Sequence, residues 1–132
     1  MGGLRPAKPL GRRGEEEAAR YLRQRGWRIL ARSDRLKPGE LDLVALDGQT
    51  VVFVEVKART SAQSGHPSEA VGADKQRRLT RLALAYLKRH RLLDSPARFD
   101  VVAVTWPAGQ AQPTIEHLQG AFEAVGPGGF YS

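Results

Sequence analysis

The chain has 132 residues, 41% of them hydrophobic, with 21 Lys and Arg against 14 Asp and Glu, a formal net charge of +7 and no cysteine. That length suits one domain with a real core, expected over about residues 11–120 with flexible ends, and the missing cysteine excludes disulfides and thiolate metal centres. No apolar run approaches the roughly 20 residues of a membrane span, and residues 1–14 lack the apolar stretch of a secretory signal, so a cytoplasmic protein is the expectation.

The basic charge is unevenly placed. Residues 1–100 hold all 21 basic residues and 12 of the acidic ones, whereas 101–132 hold only Glu116 and Glu123. A basic body of this kind favours a polyanion through phosphate neutralisation and counterion release. Sixteen of the 21 are Arg, whose planar fork matches phosphate oxygens. A solvated basic face would show the same excess.

In chain order, the Pro- and Gly-rich start up to Gly14 is expected to fray. Ala18, Tyr21 and Leu22 recur at helical spacing, which predicts a helix over 12–25 stopped by Gly26. Trp27, Ile29 and Ala31 then alternate with Arg28, Leu30 and Arg32 as a short strand. Residues 41–46 and 51–57 read as two antiparallel strands joined through Asp47-Gly48. Residues 60–72 are polar, with Gly65, Pro67 and Gly72, and read as a mobile loop with room for one helical turn near 68–71. Asp74 is placed to cap a second helix whose apolar face is Leu79, Leu82, Ala83, Tyr86 and Leu87. Residues 99–105 form a further strand and 114–118 a last edge strand. The order helix, strands, helix, strands indicates an α/β fold with a mixed sheet.

The charges inside the hairpin are misplaced for a simple core. Glu40 and Asp42 share one face of their strand and Glu55 and Lys57 share one face of theirs. A loop of residues 47 and 48 sets Asp42 opposite Phe53, and a loop of 47–50 sets it opposite Glu55. Either register keeps all four charges on one side, whereas a three-residue loop would part them. Two carboxylates facing each other in a partly buried sheet need a proton or a cation between them. Mg2+ or Mn2+ held by Asp42, Glu55 and the Val56 carbonyl would meet that need. Lys57 would then neutralise charge developing on a phosphate in the transition state.

Glu-x-Lys or Asp-x-Lys arises about once by chance in a chain this long, and a cross-strand ion pair on a wet face would also explain it. The setting argues for a site, because Glu55 lies among Val51, Val52, Phe53, Val54 and Val56, where an unpaired carboxylate is costly. His66, His90 and His117 show no ligand spacing. Glu15, Glu16 and Glu17 fall in the first turn of the expected helix, where acids also favour the helix dipole. Glu40 is either a supporting acid or a strand-edge residue, Asp100 is expected to pair with Arg98 or Arg59, and Trp27, Tyr86 and Trp106 are expected to pack.

Gly11-Arg12-Arg13-Gly14-Glu15, Gly39-Glu40-Leu41-Asp42-Leu43-Val44, Phe53-Val54-Glu55-Val56-Lys57-Ala58-Arg59, Glu69-Ala70-Val71, Lys75 and Arg98-Phe99-Asp100-Val101-Val102 together resemble the YraN family of uncharacterised bacterial proteins over about residues 11–105. That family is similar to the PD-(D/E)xK nucleases, of restriction-endonuclease-like fold, and among them to the archaeal Holliday-junction resolvases. The resemblance implies a mixed β-sheet flanked by helices, with Asp42, Glu55 and Lys57 as metal-binding and catalytic residues and Glu15 as the acid on the first helix. Leu41 stands where the superfamily name has Pro.

The expected function is a metal-dependent endonuclease that hydrolyses DNA phosphodiester bonds, with branched or structured DNA in view and Mg2+ or Mn2+ as cofactor. The alternative is a non-catalytic nucleic-acid-binding accessory protein of the same fold; a protein-interaction scaffold carries less weight. Arg13, Arg59, Lys75, Arg78 and Arg81 are the candidate phosphate contacts, the last three along one side of the second helix. RNA stays open as a second polyanion, no membrane is expected, and likeness to resolvases implies a homodimer.

Overall fold

The computed structural model describes residues 9–33, 41–60 and 71–124. Glu40, His66, Glu69, most of the expected loop and both chain ends lie outside the described residues. Two helices and five strands follow in the order α1 (Leu10–Gln24), β1 (Arg28–Arg32), β2 (Leu43–Asp47), β3 (Thr50–Thr60), α2 (Ala73–Arg89), β4 (Ala97–Trp106) and β5 (Thr114–Phe122). This is the expected α/β class, a mixed sheet flanked by helices, consistent with a restriction-endonuclease-like arrangement.

The strands lie side by side in chain order. β1–β2, β2–β3 and β4–β5 pair antiparallel, and β3–β4 pair parallel across the α2 connection. Strand alternation sends alternate residues to opposite helices. Val44, Val51, Phe53, Phe99 and Val101 pack with Leu79, Ala83, Tyr86 and Leu87 of α2. Leu43, Ala45, Val52, Val54, Val102 and Val104 pack with Ala18 and Leu22 of α1 and with Trp27. The centre of the sheet is covered on both faces, which is why β3 and β4 read as nearly unbroken apolar runs.

Local expectations needed several corrections. α1 begins at Leu10, inside the stretch expected to fray, and Glu15, Glu16 and Glu17 therefore stand beyond its first turn, away from the strongest dipole. Packing explains the earlier start. Gly14 is buried, and a Cβ there would stand 2.5 Å from Ala58 Cβ, so the missing side chain lets α1 lean directly on β3. Gly72, not Asp74, is the N-cap of α2, without a side-chain cap bond, and Asp74 turns outward to pair with Arg77. Asp47 pairs with Thr50, which leaves Gly48 and Gln49 as the loop, with Gly48 at φ 61°. β5 runs four residues past the expected end at 118, reaching Phe122, whose ring stacks on Phe99 at 4.4 Å.

Candidate active site

The β2–β3 register decides whether the acidic residues meet. Leu43 lies opposite Val54, and one further step sets Asp42 opposite Glu55. β2 ends there, so Val56 N–H has no further β2 residue to pair with. Asp42 takes its place, accepting the bond at Oδ2 over 2.9 Å. A side chain thus extends the ladder and pins its own carboxyl group beside Glu55, within hydrogen-bond reach.

That arrangement raises the Asp42 pKa to about 7. Burial contributes most, followed by the charge of Glu55; the Val56 N–H opposes them, and the charge of Glu15 adds to the rise. Glu15 reaches this cluster from α1, and Ser33, just past β1, donates a hydrogen bond to it. Glu55 from the middle of β3 and Glu15 from α1 thus both act on Asp42, which stands just before β2. Glu55 points to the α2 face, where Lys75 Nζ lies 2.7 Å from its Oε1. Lys57 shares that face by strand alternation and is exposed.

The sequence-predicted residues divide accordingly. Asp42 and Glu55 come together, Glu15 acts on Asp42 through its charge, and Lys57 lies on the same strand face as Glu55. Lys75, expected on a phosphate-binding stripe with Arg78 and Arg81, instead turns to Glu55, while Arg78 and Arg81 are exposed on α2. Arg13 is exposed with its guanidinium 4.5 Å from the centre of the Trp106 ring. Arg59 is only 8% exposed, so it is placed for the interior and not for a phosphate in solvent. Ser33 was missed because it follows a strand with no pattern to mark it. The pairing of Lys75 was missed because chain spacing carries no information about which strand a helix residue will face.

Asp42 and Glu55 supply oxygen donors and negative charge of the kind that suits a hard divalent cation. Among the described residues no cluster of three or more His, Cys, Asp or Glu side chains forms a ready-made metal site. Two carboxylates fit a Mg2+-type site whose remaining ligands are backbone, water and phosphate oxygens.

A second buried carboxylate lies on the opposite face. Asp100 is fully buried and accepts bonds from Arg98 Nε at 3.0 Å and Gly120 N–H at 3.0 Å, with His117 Nε2 at 2.8 Å. Tyr21 Oη meets His117 Nδ1 at 3.0 Å, and Arg98 also reaches Asp47 at 3.0 Å. Burial acts to raise the Asp100 pKa, but these bonds outweigh it and hold it below the usual carboxylate value. Of the two partners expected for Asp100, Arg98 is bonded to it here, with His117 as an unexpected addition.

The model of the uncharacterised protein family UPF0102 matches residues 14–104. UPF0102 protein RB9115 of Rhodopirellula baltica is 50% identical over 125 residues, covering 92% of this chain and 75% of that relative. UPF0102 proteins of Geobacter metallireducens and an Arthrobacter species are 49% and 51% identical, covering 88% and 89% of this chain and 93% and 98% of their own lengths. The chain belongs to UPF0102, the YraN family to which its motifs pointed.

Proposed function

We propose that this protein is a metal-dependent endonuclease acting on the phosphodiester backbone of DNA, with branched or structured DNA as the first substrate class to test and the cytoplasm as its compartment. One observation carries the proposal: Asp42 is buried beside Glu55 with one backbone N–H in its favour, and burial first, then the charge of Glu55, raise its pKa to about 7. Carboxylates kept in that condition at the middle of a sheet are costly to the fold, and such perturbed groups gather at functional sites.

Mg2+ or Mn2+ held by Asp42, Glu55 and the Val56 carbonyl would supply Lewis-acid polarisation of a phosphoryl oxygen and an acidified water. The other tasks fall to the chain itself. Lys57, exposed beside Glu55, neutralises charge that grows on the phosphoryl oxygens as the bond breaks. Glu15, held by Ser33, adds negative charge behind Asp42 and sharpens its demand for a cation. Arg13, Arg78 and Arg81 hold the backbone without reading bases.

Purified protein incubated with linear, nicked, flapped and four-way DNA, with Mg2+ or Mn2+, should cut at least one form, and Asp42→Asn or Glu55→Gln should abolish cutting while DNA binding persists. Cleavage that survives both substitutions defeats the proposal. The non-catalytic accessory reading is favoured by one observation, that Lys75 already answers the charge of Glu55. Salt-dependent DNA binding by a wild type that binds no divalent cation would support it.

A further inference from the structure

Lys75 is the third residue of α2, and its ammonium lies against a carboxylate in the middle of β3. The Glu55 side chain is 14% exposed and that of Lys75 36%, so one partner is fixed in the sheet while the other stands at the water boundary on a flexible stem. The pair contributes little to holding α2, because part-exposed ion pairs stabilise weakly and the helix is anchored by Leu79, Ala83, Tyr86 and Leu87. Its electrostatic consequence is larger. Asp42 and Glu55 lie side by side with the charge of Glu15 acting on Asp42, and Lys75 is a cation paired with Glu55.

Resting on the metal-site reading above, we propose that Lys75 is a built-in counter-ion of the Asp42–Glu55 pair, which a divalent cation displaces when it binds. An ammonium 2.7 Å from Glu55 Oε1 and a divalent cation on the same carboxylate repel each other strongly where water is partly excluded. The released side chain stands at the start of α2, on the helix that also carries exposed Arg78 and Arg81, and there it can donate a hydrogen bond to a phosphate oxygen. Lys75 therefore serves the carboxylate in the free protein and the DNA backbone in the loaded one. Metal and DNA binding then reinforce each other through one side chain.

Calorimetric titration with Mn2+ at low salt, without DNA, tests the exchange. Lys75→Met should bind Mn2+ about tenfold more tightly than wild type, or more. Lys75→Arg, which keeps the charge, should stay near wild type, and Lys88→Met, which removes an equal charge at the far end of the same helix, should change affinity by no more than about twofold. Equal or weaker binding by Lys75→Met overturns the exchange and leaves the metal site standing, with Lys75 as an ordinary support of Glu55. Mn2+ binding by neither the wild type nor Lys75→Met removes the metal site and the exchange together.

Discussion

Asp42 and Asp100 are both carboxylates at the central sheet, one beside β3 and one on β4, yet their surroundings drive them in opposite directions. Asp100 is met by Arg98, His117 and the Gly120 N–H and is held more acidic than usual. Asp42 has one backbone donor against two neighbouring acids, and its pKa rises to about 7. Burial acts the same way on both, so the difference lies in their partners. A buried acid that the fold has fully answered ties β4 and β5 to α1 and β1's neighbour Trp27; the one that the fold leaves short of positive charge is where the proposed cation would sit.

The largest effect should come from breaking the satisfied side. Asp100→Ala leaves Arg98 and His117 facing each other without their acceptor, and should cost about 3–5 kcal/mol, read as a lower urea midpoint. Loss of under about 1 kcal/mol would show that solvent replaces the acid and that the network contributes little.

Next comes the contact that carries Glu15 into the cluster. Gly14→Ala drives a methyl group into Ala58 and should cost about 1–3 kcal/mol by overpacking. As α1 moves off β3, Glu15 withdraws from Asp42, and the Asp42 pKa measured by carboxyl carbon NMR should fall from about 7.

The two acids should also give stability opposite dependences on pH. Asp42 has a folded pKa of about 7 against an unfolded 3.8, so the folded state binds the extra proton between those values. Its contribution is full below about pH 4, declines as pH rises and is gone above about pH 7. Asp100, shifted down, contributes fully above 3.8 and loses that contribution as pH falls through its folded pKa. Asp42→Asn keeps an acceptor for Val56 N–H while removing the charge, and should raise stability at pH 8 by about 1–2 kcal/mol and flatten the decline between pH 4 and 7. An unchanged pH profile would mean that neither burial nor the charge of Glu55 raises the Asp42 pKa in solution.

The smallest effect on stability belongs to Lys57. It is exposed, so Lys57→Ala should shift stability by less than about 0.5 kcal/mol and barely alter DNA affinity, while removing most turnover. Charge reversal at Arg78 and Arg81 should do the opposite, weakening binding and flattening the negative slope of log affinity against log salt by about two. Equal losses of affinity would make Lys57 one more phosphate contact.

Much of this was legible in the residues. The 3.6-residue spacing of Ala18 and Leu22, the apolar face of α2 and the β-rich runs around Val44, Val54 and Val102 mark their elements because burial imposes each period on the chain. Asp42, Glu55 and Lys57 stood out because charge inside such runs is costly. Helix ends were less legible: Leu10 starts α1 and Gly72 caps α2 because local turn chemistry yields to packing, as at Gly14 and Ala58.

Sequence alone determined the class of elements, the basic excess and the acids that could meet, since these follow from side-chain chemistry and short-range period. Only the tertiary structure decided that they do meet. Whether Asp42 faces Phe53 or Glu55 depended on which two residues turn the hairpin, and a shift of register there changes every partner beyond it. The same holds for Lys75, Glu15 and His117, whose partners lie on other elements: the angle and offset of a helix against a sheet are set by the whole core, and no local pattern records them.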